Sequence, residues 1–203
     1  MTSNPPKNPL HSARLSFRAP ESPSDDDFFS AMVSDIDAYM NSNITNATVP
    51  GSKQAKKYQE YLTEKTLLGV VICLRSTHVD GNESEKPTPI GAMHLCKSGD
   101  GMTHHRSTEI GIEILDGFQG KGYGSEALTW ILEWAFRRLG LHRVQVRAFG
   151  WNVRAIELYK RLGFTEEGRW RDALWHDGQF WDDVQLSMLE DDWKQRAERN
   201  LDR

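Results

Sequence analysis

Apolar positions recur along this chain with two distinct periods, and the switches between them mark out the elements. Leu15 and Phe17 alternate with polar neighbours over Arg14–Arg18, the period of a short strand. Phe28, Met32, Ile36 and Tyr39 then recur at helical spacing over Phe28–Tyr39. The preceding Asp25-Asp26-Asp27 suits the positive end of a helix dipole. Ser52–Lys65 reads as a second, more polar helix carrying Tyr58, Tyr61 and Leu62. After it the period shortens. Leu67–Leu74 is an apolar run, and Ile90–Cys96 reads as its antiparallel partner across a long, mobile polar loop, His78–Thr88. Ser98–Gly101 is a turn, and over Glu109–Leu115 Ile110, Ile112 and Ile114 alternate strictly with Glu109, Gly111 and Glu113.

Tyr123–Leu139 carries the strongest helical stripe: Ala127, Leu128, Ile131, Leu132, Ala135, Phe136 and Leu139, widened by Trp130 and Trp134. Arg143–Phe149 reads as a strand, Asn152–Leu162 as a helix stopped at Gly163, and Phe164–Arg169 and Val184–Leu189 as two closing strands. The order β-αα-βββ-α-β-α-ββ predicts one α/β (α+β) domain, with a central mixed, mostly antiparallel sheet flanked by helices. Polar, proline-containing residues 1–11 are expected to be a disordered leader, 12–193 the domain, and 194–203 a polar tail.

Composition narrows the function classes. Hydrophobic residues make up 38% and charged residues 27%, so the chain has the makings of an ordinary core. A net charge of −4 argues against a partner bound mainly through nucleic-acid phosphates. No apolar run is long enough for a membrane span and no signal peptide is evident, so a soluble, cytoplasmic protein is expected, with the nucleus left open. Cys73 and Cys96 lie far apart in apolar runs and read as buried thiols. His104-His105 lacks partners at metal-ligand spacing, and no metal is expected.

The informative segment is Phe118–Ser125, between the alternating strand and the strongest helix. Glycines just before a helix N-terminus let backbone amides converge on an anion. Gly120-Lys121 is followed by Gly122 rather than Ser or Thr, and position 125 is Ser rather than the third glycine of a dinucleotide fingerprint, so neither common nucleotide motif fits. What fits is Gln-x-x-Gly-x-Gly, here Gln119, Gly122 and Gly124. With Glu109–Ile114 upstream and Asn152-x-x-Ala-Ile-x-Leu-Tyr-x-x-Leu-Gly-Phe164 downstream, it resembles the GNAT superfamily of N-acetyltransferases. Within it, the likeness is greatest to the ribosomal-protein N-terminal and polyamine branch. It covers about Arg14 to Trp193. The chain departs from the family in having Leu115-Asp116-Gly117-Phe118 where Asp-Pro-x-Tyr is common.

The resemblance implies acetyl-coenzyme A as donor and a primary amine as acceptor, either a protein N-terminus or a small amine such as a polyamine. Its pyrophosphate is then expected on the amides of Gln119, Gly120, Lys121, Gly122, Tyr123, Gly124 and Ser125. Backbone groups of Ile114 and Leu115 would pair with the pantetheine arm, and Asn152 would hold that arm or cap the helix that follows it. An alkyl amine costs about 4–5 kcal/mol to deprotonate at neutral pH and an α-amine about 1, so a base matters most for the former. Glu109 is the preferred base, acting through water, with Glu113 the alternative. Four residues place them on one strand face ~13 Å apart, too far for a coupled carboxylate pair, unless a bulge intervenes. Tyr159 is the candidate general acid for the departing thiolate. Trp170, Trp175 and Trp181, among Asp172, Asp177, Asp182 and Asp183, suit an amine site, partial packing or a homodimer contact. A coenzyme-A-binding module without turnover and an unrelated phosphate-binding α/β protein are the competing readings.

Overall fold

Strict alternation along β4 (Ser107–Ile114) fixes the centre of the molecule, because it gives that strand two faces of different character. The computed structural model describes residues 8–75 and 87–201. Before β4 come β1 (Leu15–Arg18), α1 (Asp26–Ser34), α2 (Ile36–Ser42), α3 (Ser52–Glu60), β2 (Thr66–Leu74) and β3 (Thr88–Cys96). After it come α4 (Tyr123–Glu133), β5 (Arg143–Phe149), α5 (Val153–Leu162), β6 (Thr165–His176), β7 (Gln179–Leu189) and α6 (Glu190–Leu201). The seven strands form one sheet in the order β1-β2-β3-β4-β5-β7-β6, antiparallel throughout except for the central β4–β5 pair.

On one face Ile110, Ile114, Val144 and Val146 pack against Leu128 and Ile131 of α4 and Ile156 and Tyr159 of α5. On the other, Val71, Cys73 and Ala92 lie under Phe28, Phe29 and Met32 of α1, Ala55 of α3 and Leu62 of the turn that follows. The amphipathic stripe of α4 is therefore core, and Trp130 stacks on Phe17 at 3.9 Å between ring centres.

Five elements differ from the sequence reading, each for a local reason. The helix expected over Phe28–Tyr39 is two helices, broken at Asp35, whose side chain accepts the Ala38 amide (3.1 Å) and caps α2 instead of continuing α1. The helices expected over Ser52–Lys65 and Tyr123–Leu139 both end in a π-turn, Tyr61–Lys65 and Trp134–Arg138. The two closing strands are longer, 12 and 11 residues, and meet at Asp177-Gly178; residues such as Trp170, Trp175 and Phe180 stand exposed there, so no alternation announces them. Residues set outside the domain by composition also have structure. Pro9 accepts from the Trp130 indole (2.8 Å), Leu10 pairs with Phe17 (2.9 Å), and α6 runs into the polar tail as far as Leu201. Those contacts are tertiary or helix-dipole effects that apolar periodicity does not register. The loop His78–Thr88 lies almost wholly outside the described residues.

Asp25 ties β1 to α1. Its carboxylate, 2% exposed, takes both terminal nitrogens of Arg18 (2.6 Å each) and the Glu21 amide (2.8 Å). Burial alone would raise its pKa, but the Arg18 pair and the amide prevail and lower it. The stability this contributes is present above the unfolded carboxylate pKa and is lost as pH falls through the folded one. Asp25→Ala should cost about 2–3 kcal/mol near neutrality, below the full value for a buried pair because Arg18 is partly solvated, and the difference from wild type should shrink in acid. Urea denaturation at several pH values measures both.

Candidate active site

The centre of the site is a gap in the sheet. β4 and β5 pair only at Ser107↔Arg143, Thr108↔Val144 and Glu109↔Gln145, then part. β4 stays with β3 through Ile114, and β5 stays with β7 through Phe149. The Leu115 amide donates to Ile90 (3.0 Å), so by alternation the peptide groups of Ile110, Ile112 and Ile114 point into the gap. The Ile114 carbonyl is taken there by the Gln119 side chain (2.9 Å). Both backbone groups of Leu115 are satisfied internally, its carbonyl accepting from Phe118 (2.9 Å), so the expected role of the Leu115 backbone as a free partner is not available. A cleft of about 1100 Å³ follows the gap from Gly120 to Glu109 and on beneath α1 and α2.

At one end lies the glycine loop. Gly120 and Gly122 have φ of +74° and +83°, which turns the chain sharply into α4. Among the described residues, no protein acceptor takes the amides from Gly120 to Ser125. Three cations surround them. Arg14 donates to the Lys121 carbonyl (3.0 Å), Lys121 to the Gly117 carbonyl (2.7 Å), and a Cβ added at Gly120 would lie 2.8 Å from the Arg154 guanidinium. Arg14 is itself held by Glu126, which also accepts from Ser12 (2.7 Å). Unpartnered amides at a helix mouth, left-handed glycines that turn the chain around it and three cations fit a diphosphate. Asn152 caps α5 through the Ala155 amide (3.1 Å), while its Nδ2 donates across the cleft mouth to Asn41 (3.3 Å).

Along the strand floor the two glutamates share a face, because the β3–β4 register runs unbroken from Leu95↔Ile110 to Gly91↔Ile114. Glu109 sits at the last β4–β5 pair, with the Arg147 Nε at 4.0 Å; burial raises its pKa, Arg147 opposes this and Asp183 adds to it. Glu113 is half-buried, accepts from Ser42 of α2 (2.8 Å), and is pushed up to about 7, chiefly by burial. Between them the His94 ring lies over Gly111, where a Cβ would come within 2.2 Å of it. Burial pushes His94 down to about 4, so it is neutral, and among the described residues its Nδ1 has no partner. Tyr58 and Tyr61 meet this ring edge-on. From α5, Tyr159 lines the cleft with its pKa pushed up to about 12 by burial.

The structure thus brings Glu109, Glu113, Tyr159, Asn152, Ile114 and the Gln119–Ser125 loop to one cleft. Sequence reasoning missed His94, Arg147, Tyr58 and Tyr61 as parts of it. The one available signal was Gly111, a glycine inside a regular strand, which marks the close approach His94 makes. Trp170 and Trp175 stand exposed on the β6–β7 hairpin and do not line the cleft.

A parted sheet, a glycine-lined helix mouth and a carboxylate at the point of parting are features of an N-acetyltransferase scaffold. The acetyltransferase (GNAT) domain profile matches residues 14–165, and the chain belongs to that family. It is 37% identical over 84 residues to the ribosomal protein uS5-alanine N-acetyltransferase of Escherichia coli, covering 41% of this chain and 43% of the relative. It is 31% identical over 94 residues to the spermidine N(1)-acetyltransferase of Vibrio cholerae, covering 46% and 54%. The chain spans about half the length of the curated relatives it matches. The fold is shared with the V. cholerae spermidine N-acetyltransferase solved with CoA and spermine (TM-score 0.72, 21% identity, 90% of this chain and 99% of that one). A GNAT-family acetyltransferase from Bacillus anthracis is equally similar (TM-score 0.72, 19% identity, 90% and 98%). Among the described residues no helix is long and apolar enough to cross a membrane.

Glu113 gives a measurable signature. Its folded pKa lies above its ordinary value of 4.5, so the native state holds a proton that the unfolded chain releases. Stability should therefore fall as pH rises from 4.5 to about 7. Glu113→Gln should flatten that stretch of the stability curve and gain about 1–2 kcal/mol at roughly pH 8, a figure reduced for the partial exposure of the group. Thermal or urea denaturation across pH checks it.

Proposed function

We propose that this chain is an acetyl-coenzyme-A-dependent N-acetyltransferase that moves the acetyl group to a primary amine by direct attack in a ternary complex. The reading is carried by one arrangement: a strand-wide gap with a cationic, glycine-lined helix mouth at one end and Glu109 at the other. When bound, the thioester supplies an acetyl carbon activated for attack.

The chain's own groups divide the remaining work. The amides of Gly120–Ser125, with Arg14, Lys121 and Arg154 around them, hold the diphosphate. The gap-facing peptide groups of Ile112 and the amide of Ile114 pair with the pantetheine arm as a neighbouring strand would, the Ile114 carbonyl being held by Gln119. Asn152 closes the mouth beside it through Nδ2. An amine enters beneath α1 and α2 and loses its proton to Glu109, directly or through a water. Tyr159 keeps its proton at every working pH. Full transfer from a phenol near 12 to an ordinary thiolate near 8.5 would be uphill by about 5 kcal/mol, so its first role is a hydrogen bond to the departing sulfur. The proton follows as that sulfur, against the same dry wall, becomes more basic.

The acceptor is a peptide N-terminus or a small amine such as a polyamine, the classes named for the relatives. The deciding experiment follows thiol release from acetyl-coenzyme A with alanine-first peptides, polyamines and amino sugars. Release with one class of amine supports the reading, whereas coenzyme binding with no release under any acceptor makes the chain a binding module.

Two substitutions dissect the site. Tyr159→Phe should lower kcat about 100-fold or more while leaving coenzyme affinity within about twofold. Gly122→Val, at a φ of +83°, should weaken coenzyme A binding by tenfold or more in calorimetry, because it strains the backbone and fills the cradle.

A further inference from the structure

We propose that Arg147 and Asp183 form a positioning pair for the base: Asp183 anchors the Arg147 guanidinium, which in turn holds the Glu109 carboxylate at the point where β4 and β5 part. This rests on the reading of Glu109 as the base. The three residues stand on adjacent strands, β4, β5 and β7, on the face that carries the acceptor end of the cleft. Asp183 is 2% exposed and doubly tied, to Gln185 Nε2 (2.9 Å) and to Arg147 Nη2 (3.4 Å). A buried carboxylate fixed in this way cannot follow a moving guanidinium, so Arg147 is anchored from the β7 side.

The contact on the other side is looser. Arg147 Nε lies 4.0 Å from Glu109, beyond hydrogen-bond distance, and the Glu109 side chain is 44% exposed. The guanidinium therefore orients the carboxylate through its field and leaves both oxygens free to take a proton. A tight bidentate pair would make Glu109 a poor base, and with no cation the effect of burial in raising its pKa would go unopposed. One guanidinium shared unequally between a fixed carboxylate and a free one gives the intermediate case.

Other ionisable groups near Glu109 are accounted for by element. Cys96 of β3 and Tyr61 of the turn after α3 are bonded to each other (3.6 Å), and burial holds both in their neutral forms. Lys97 and His105 rim a small pocket of about 220 Å³ that has Glu109 in its wall. Among the described residues, Arg147 and Asp183 are the charged groups that act on the Glu109 proton, and they act in opposite senses.

Opposite senses make the test sharp. In protein carrying carbon-13 glutamate, the Glu109 carboxyl carbon is followed by magnetic resonance across pH, its signal assigned by its loss in Glu109→Gln. Arg147→Gln should raise the Glu109 midpoint by about one pH unit or more, and Arg147→Lys should return most of the shift. Asp183→Asn, which removes a like charge and frees Arg147 for Glu109, should lower it. Coenzyme A binding confirms that each variant is folded, and should Asp183→Asn fail to fold, the two Arg147 variants decide alone. An unmoved midpoint, or movement in the same direction for Arg147→Gln and Asp183→Asn, overturns the proposal. Parallel pH profiles of thiol release with spermidine and an alanine-first peptide separate it from the reading beneath it. If the midpoints shift as expected while Glu109→Gln keeps wild-type turnover, the base is elsewhere and the pair's catalytic role falls with it.

Discussion

The rest of the structure depends on two neighbouring strands that stop pairing after three residues. β4 is committed to β3 and β5 to β7 along almost their whole lengths, so the sheet is two antiparallel halves joined at Ser107–Glu109. The right-handed twist of each half then carries β4 and β5 apart. Backbone groups left in the opening need partners, because a buried peptide group without one costs as much as a lost hydrogen bond. Ile114 shows the solution within the chain, its carbonyl taken by Gln119. The remaining groups make the opening a place for something shaped like a strand, and the helices on either face give it a floor and a roof.

Electrostatically the cleft has two ends of opposite character. Arg14, Lys121 and Arg154 crowd the helix mouth, whereas Glu109 stands where β4 and β5 part and Glu113 lies four residues along the same strand face, against Ser42. Burial is the common influence on the ionisable groups that line the cleft away from those cations. It raises both glutamates and Tyr159 and lowers His94, so each is pushed towards its neutral form. Such displaced protonation equilibria in one cleft are what proton-transfer chemistry near neutral pH requires. Arg147 at Glu109 and the Ser42 hydrogen bond at Glu113 act against it.

How much of this was legible beforehand follows from where each signal resides. β5 spans the residues its alternation marks, and β4 and α5 differ from expectation by one or two, because apolar period and core burial coincide there. The glycine loop was legible for the same kind of reason, since its chemistry is backbone chemistry at fixed spacing. The break at Asp35 was hidden by Ile36 and Tyr39, which keep the helical period across it. The arm formed by residues 170–182 has no buried face and so no pattern to read. His94, Arg147 and Asp183 are site residues only because three strands bring them together, and a charged residue in a strand gives no sign of its partner from its own segment.

The attachment of the first described residues to α4 has a consequence for transplanting this loop. Glu126 in the first turn of α4 holds Ser12 and Arg14, and Arg14 reaches on to the Lys121 carbonyl. The shape of the glycine segment is thus maintained by chain more than a hundred positions upstream. A graft of residues 118–126 onto another scaffold would carry the motif but not its brace, and swaps between homologues would have to exchange both pieces together. Two stretches far apart in sequence act here as a single mechanical part.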